Sequence, residues 1–127
     1  MVERLADMPG GTLGFRVSGK LTRGEYHEML APVRELIDRG EPLSLLIVTD
    51  PDFSGLDAGA LWEDVKAAGT IGLGHRSSWR RVAVVTDKEW MRHAMSAFGW
   101  LAPGEVSLFD PDDLAAAKAW LGGTARA

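Results

Sequence analysis

The stretch LSLLIVT, Leu43–Thr49, is apolar at almost every position and shows no polar alternation. A strand with one wet face alternates apolar and polar residues, because successive side chains point to opposite sides of a sheet. A strand without that alternation is covered on both faces, which is the condition of a central strand in a parallel sheet. Directly after it comes DPDFSGLDAG, residues 50–59, with an acidic turn, a serine and two glycines. The carboxyl end of a buried strand is where α/β sheets bind ligands, but Asp, Ser and Gly also make ordinary turns ahead of a helix.

Working outward toward the C-terminus, DAGALWEDVKAAG (57–69) predicts a helix capped by Asp57, with Leu61, Val65 and Ala68 on one face. RVAVVT (81–86) is a second buried strand. It leads into DKEWMRHAMSAFGWL, where Thr86 and Glu89 have the spacing of a capping box and Met91, Ala94, Met95 and Phe98 share one face. EVSLF (105–109) is the last strand. Asp110, Pro111, Asp112 and Asp113 then set up a final helix, with Asp at the N-cap and Pro at the first helical position.

Toward the N-terminus, LTRGEYHEMLAPVRELIDRG begins with Thr22 and Glu25 in capping-box spacing and continues with Tyr26, Met29, Leu30, Val33, Leu36 and Ile37 on one helical face. Pro32 inside this pattern costs a backbone hydrogen bond and predicts a kink, and Gly40 stops the helix. VERL (2–5) and TLGFRVSG (12–19) flank a Pro9-Gly10-Gly11 turn and read as a hairpin. The order is β-β-α-β-α-β-α-β-α. It predicts an α/β domain over residues 1–122, with a mixed, mostly parallel sheet and flanking helices, followed by a frayed tail over 123–127.

Composition narrows the function classes. The 127 residues carry 46% hydrophobic and 25% charged residues and a net charge of −4, with both signs interspersed, so no nucleic-acid footprint exists. With no cysteine, disulfides, thiolate nucleophiles and Cys-based metal sites are excluded. The N-terminus lacks the apolar core of a signal peptide, and no run approaches the roughly 18–20 apolar residues of a membrane span. The expectation is a cytoplasmic protein with no cofactor.

Candidate chemistry is sparse. His27, His75 and His93 fall in three different segments without ligand spacing, so no metal site is expected. GTIGLGHRSS (69–78) follows a helix rather than a strand, so its glycines read as a connecting loop and not a phosphate cradle. Trp79 stands at the end of that loop among Arg76, Arg80 and Arg81, a candidate contact surface. Ser54 has no histidine in its segment to activate it. Asp50, Asp52 and Asp57 are the only carboxylates placed for acid–base work, as in a hydrolase-like site on the 50–57 loop. Turn and cap roles account for them more simply.

Five tryptophans in this chain are many. Trp90, Met91, Met95, Phe98, Trp100 and Leu101 make one helix apolar over much of its circumference. Core packing uses one face, and the rest implies a subunit interface or a pocket for an apolar ligand.

FSGLDAGALWEDVK and RRVAVVTDKEWMRHAMSAFGWLAPGEVSLF, with the leading hairpin and capped helix, resemble the SpoIIAA-like family of small bacterial proteins, a branch of the STAS fold. The fold is similar to that of anti-anti-sigma factors and, more distantly, to CRAL-TRIO lipid-binding domains. The resemblance implies a STAS-type sheet flanked by helices. In anti-anti-sigma proteins a D-S-S-G-L motif follows the central strand, and a partner kinase phosphorylates its first serine. Here DFSGL places Phe53 at that position and DAGAL places Ala58, and neither accepts phosphate; Ser54 matches the second serine at best.

The leading expectation is therefore a non-enzymatic binding or interaction module, a homodimer or a binder of an apolar small molecule. Its surface would draw on Phe53, Ser54, Asp57, Trp62, Trp79, Trp90, Met91, Met95 and Trp100. A phospho-regulated anti-sigma antagonist acting on a regulatory protein through Ser54 is the alternative, and an enzyme of the acidic loop the third.

Overall fold

The computed structural model describes residues 1–6, 8, 11–67, 79–98 and 105–122, with the side chains of 63–65, 67 and 94–98 excepted. The elements run β1 (Val2–Arg4), β2 (Thr12–Val17), β3 (Lys20–Leu21), α1 (Arg23–Asp38), β4 (Leu43–Thr49), β5 (Gly55–Leu56), α2 (Ala58–Ala67), β6 (Trp79–Val85), α3 (Glu89–Phe98), β7 (Glu105–Phe109) and α4 (Leu114–Leu121). A five-stranded sheet has the order β1-β2-β4-β6-β7, and LSLLIVT is its central strand. β1 pairs antiparallel with β2 as a hairpin, and every other pairing in this sheet is parallel.

The parallel strands stand in chain order, so each crossover steps in the same direction. Right-handed crossovers in one direction put their helices on one face. Accordingly, Leu13, Phe15 and Val17 of β2 pack with Tyr26, Leu30 and Val33 of α1, and Ala60 of α2 and Met91 of α3 join the same cluster. The opposite face, with Leu46, Val48, Ala83 and Val85, is closed by Ala117 and Leu121 of α4. This explains the missing alternation in β4: both of its faces lie under helices.

Local signals behave as their chemistry requires, with four corrections. Thr22 and Glu25 form the predicted capping box, and α1 runs as one helix through Pro32. Gly40, at φ 73°, follows the cap residue Arg39 in the left-handed conformation that ends helices. Thr86 does not form the predicted box with Glu89. Its hydroxyl accepts from the Lys88 amide at 3.0 Å, two residues on, because α3 begins only at Glu89 and Thr86 stands upstream of the cap position. Asp110 starts a short 3-10 turn, Pro111–Asp113, without a side-chain cap bond, its carboxylate being paired with Arg92. Trp79 is not a loop residue but the first of β6, paired with Leu43 across a bulge and half-buried against the core. The two-residue strands β3 and β5, which pair in parallel, are too short to carry a periodic signal. The 123–127 tail lies outside the described residues.

Candidate functional site

The carboxyl ends of the parallel strands bring three segments together: the 50–57 loop, the turn after β6 and the start of α3. At their base lies a hydroxyl relay. Thr49, the last residue of β4, donates to Thr86 at 2.8 Å, and the Thr86 hydroxyl donates in turn to Met91 Sδ at 3.7 Å. Both threonines are buried. A buried hydroxyl without a partner costs about 1–3 kcal/mol, so the relay fixes the strand ends and the first turn of α3 in one arrangement.

The loop above the relay is tied at several points. The Asp50 carboxylate accepts from Arg16 at 2.8 Å. The Ser54 amide donates to Gly19 O at 2.8 Å, and the Asp57 amide to Leu21 O at 2.9 Å. Asp57 caps α2 as expected, its Oδ1 accepting from the Ala60 amide at 2.8 Å. Lys88 Nζ donates to Pro51 O. The Trp90 ring stacks on Phe53, centroids 6.1 Å apart and planes 23° apart.

The singled-out residues therefore separate by role. Phe53 belongs to the core, 6% exposed, with the half-exposed Trp90 ring stacked on it. Ser54 is exposed. Trp79 lies at the opposite, amino end of the parallel strands and does not join this site. Met91, half-buried against the core, is the terminus of the relay. Trp100 and the side chain of Met95 lie outside the described residues. Trp62 and Trp90 remain as the aromatic surface, 59% and 51% exposed, and Leu61 at 54% adds to it.

Leu61 shares its helical face with Val65 in the sequence pattern, yet it points outward. Among the described side chains of α2, Gly59 and Ala60 face inward. Ala60 is fully buried, and a Cβ on Gly59 would come within 2.9 Å of Arg23 Cβ. Small residues let α2 approach α1 closely, and Leu61 and Trp62 are left outside. Spacing alone cannot tell an inner apolar stripe from an outer one, so this face was not legible. Thr49 and Thr86 were not singled out either, although both buried strand segments, LSLLIVT and RVAVVT, visibly end in threonine.

Acid–base chemistry finds little support here. Asp57 and Asp50 are committed to a helix cap and an ion pair. Among the described residues no group of three or more histidine, aspartate or glutamate side chains could hold a metal ion. With all crossovers stepping the same way, the parallel strands lack the reversal at which α/β sheets open a ligand crevice. Among the described residues no helix is long and apolar enough to cross a membrane.

Comparison with protein families matches residues 12–122 to the SpoIIAA-like family. Among solved structures, the chain is similar to an uncharacterized protein from Shewanella loihica PV-4, of the DUF3478 family and with a SpoIIAA-like fold. The identity is 28% over 94% of this chain and 93% of that one, with a TM-score of 0.69. No curated protein matches the chain.

Proposed function

We propose, from the premise that the chain belongs to the SpoIIAA-like family, that it is a non-catalytic interaction module. It docks a protein partner through the apolar surface of α2 and α3. The observation that carries this reading is the exposure of Leu61, Trp62 and Trp90, each more than half open to solvent on helices of the same sheet face. Aromatic residues exposed on rigid elements are the side chains that dominate binding energy at interfaces. Leu61 and Trp62 are neighbours on α2, and large apolar side chains exposed together mark contact sites rather than ordinary solvated faces.

A second copy of the chain is the partner we favour. Two-fold dimers are the commonest closed assemblies, and their interface must be complementary to itself. Exposed Lys66 on α2 and Glu89 on α3 put both signs beside the apolar residues, so self-pairing sets up no wall of like charge.

The phospho-switch alternative rests on the exposure of Ser54. A phosphate there would enter a loop already carrying Asp50, Asp52 and Asp57, and like charge opposes it. Phe53, in the switch register, is core.

Sedimentation equilibrium tests the docking reading. The wild type is expected to weigh twice the 13.7 kDa chain mass, and Leu61→Ser with Trp62→Ser to return it to monomer. A wild type that stays monomeric at high micromolar concentration, or a variant that stays dimeric, refutes the reading. Native mass spectrometry on the same samples would reveal a bound apolar molecule as the competing occupant.

A further inference from the structure

We propose that the first turn of α3 is a latch: Trp90 and Lys88 hold the 50–57 loop down on the sheet, and lifting Trp90 frees the loop and the amino end of α2. The inference goes beyond docking, because it concerns how the loop is held whether or not a partner is bound.

Two contacts from one helical turn reach the loop at separate points. Lys88 Nζ grips the Pro51 carbonyl, while the Lys88 amide is itself anchored on the Thr86 hydroxyl. Two residues on, the Trp90 ring covers Phe53 and lies against the backbone of Gly55. A Cβ at Gly55 would stand 3.8 Å from Trp90 Cη2 and 3.9 Å from Cζ2. Gly55 has φ 113°, a conformation that side-chain-bearing residues rarely adopt. Glycine therefore allows the loop this path, and the indole lies at ordinary contact distance from it.

The two sides of the latch differ in firmness. The α3 side is rooted in the buried Thr49–Thr86–Met91 relay. The loop side is held by the two-residue β3–β5 pairing, by the half-exposed Arg16–Asp50 ion pair and by single amide bonds at its ends, Phe53 to Asp50 O, Ser54 to Gly19 O and Asp57 to Leu21 O, far fewer than the five-stranded sheet provides. Segments held by few bonds open first, independently of the core. Trp90 is half exposed, so it can leave Phe53 without unfolding the sheet. A partner that takes the indole into its own surface competes with Phe53 for it, and the loop at the head of α2 is then released. The two states are Trp90 stacked with the loop closed, and Trp90 withdrawn with the loop open.

Native-state amide hydrogen exchange on the protein carrying Leu61→Ser and Trp62→Ser, which the docking reading makes monomeric, tests this with no interface in play. In Trp90→Ala the amides of Phe53, Ser54 and Asp57 are expected to exchange roughly tenfold faster, the factor that one stacked aromatic pair is worth. Amides of Leu46 and Val84 in the central strands keep their rates. Lys88→Met accelerates the same loop amides, and Trp90→Phe, which keeps a ring on Phe53, restores most of the protection. Unchanged loop amides in Trp90→Ala overturn the latch, as does an equal acceleration in loop and strands. Neither result bears on the oligomeric mass, so the latch and the docking surface fail separately.

Discussion

Replacing Thr86 with valine should destabilise the protein more than the same change at Thr49, although the two residues share one hydrogen bond. The relay has a direction. Thr49 donates to Thr86, and Thr86 donates to Met91 while also accepting from the Lys88 amide. Thr86→Val removes the acceptor of a buried Thr49 hydroxyl, which costs about 1–3 kcal/mol as an unsatisfied donor. The Lys88 amide also loses its partner, and a lost bond at a half-buried site adds about 0.5–1.5 kcal/mol. The expected total is about 2–3 kcal/mol. Thr49→Val leaves Thr86 with both of its other partners and should cost only about 0.5–1 kcal/mol. In the double variant no hydroxyl is stranded, so the two costs should fall short of additivity by about 1 kcal/mol or more. Urea unfolding monitored by tryptophan fluorescence reads this as shifts in midpoint at constant slope. Equal costs for the two single variants, or strict additivity in the double, would refute the directional relay.

Three further outcomes follow from the contacts. The N-terminal ammonium, 2.9 Å from Glu25, is the largest influence holding that carboxyl below its ordinary value, followed by the Thr22 amide. A lowered folded pKa means stability present above the unfolded value and lost as pH falls toward the folded one. The melting-temperature gap between wild type and Glu25→Gln should therefore be widest near neutrality and close in acid. Asp57→Ala should cost about 1 kcal/mol through the lost α2 cap, with Asn retaining most of it, in the same urea assay. Arg81 lies 5.0 Å from the centre of the Trp120 ring, donates to the Trp120 carbonyl and pairs with Glu105. Arg81→Met keeps the stem and loses the charge, and should lower stability by about 1–2 kcal/mol by loosening the end of α4.

Much of the fold was legible because its signals are periodic. The unbroken apolar run of β4, the capped stripe of α1 and the alternation in β2 each follow from which faces are buried, and the order of elements then selects the sheet. Trp79 escaped because a strand's first residue sits across a bulge, where pairing rather than pattern decides. The site was only half legible. Asp57 announced its cap, but Leu61 looked like core, since apolar spacing marks a helical face without saying whether a given residue on it turns inward. Phe53 looked like surface because its neighbours are polar, yet its ring is covered by Trp90 of α3, a contact that no local spacing encodes.

The central claim, that the chain works through the exposed aromatic surface of α2 and α3, is tested most directly by fluorine NMR of the protein labelled with 5-fluorotryptophan. Across a dilution series, the Trp62 and Trp90 resonances should shift together between associated and free positions, while those of half-buried Trp79 and Trp120 stay in place. Five resonances independent of concentration, or shifts confined to Trp79 and Trp120, would contradict it.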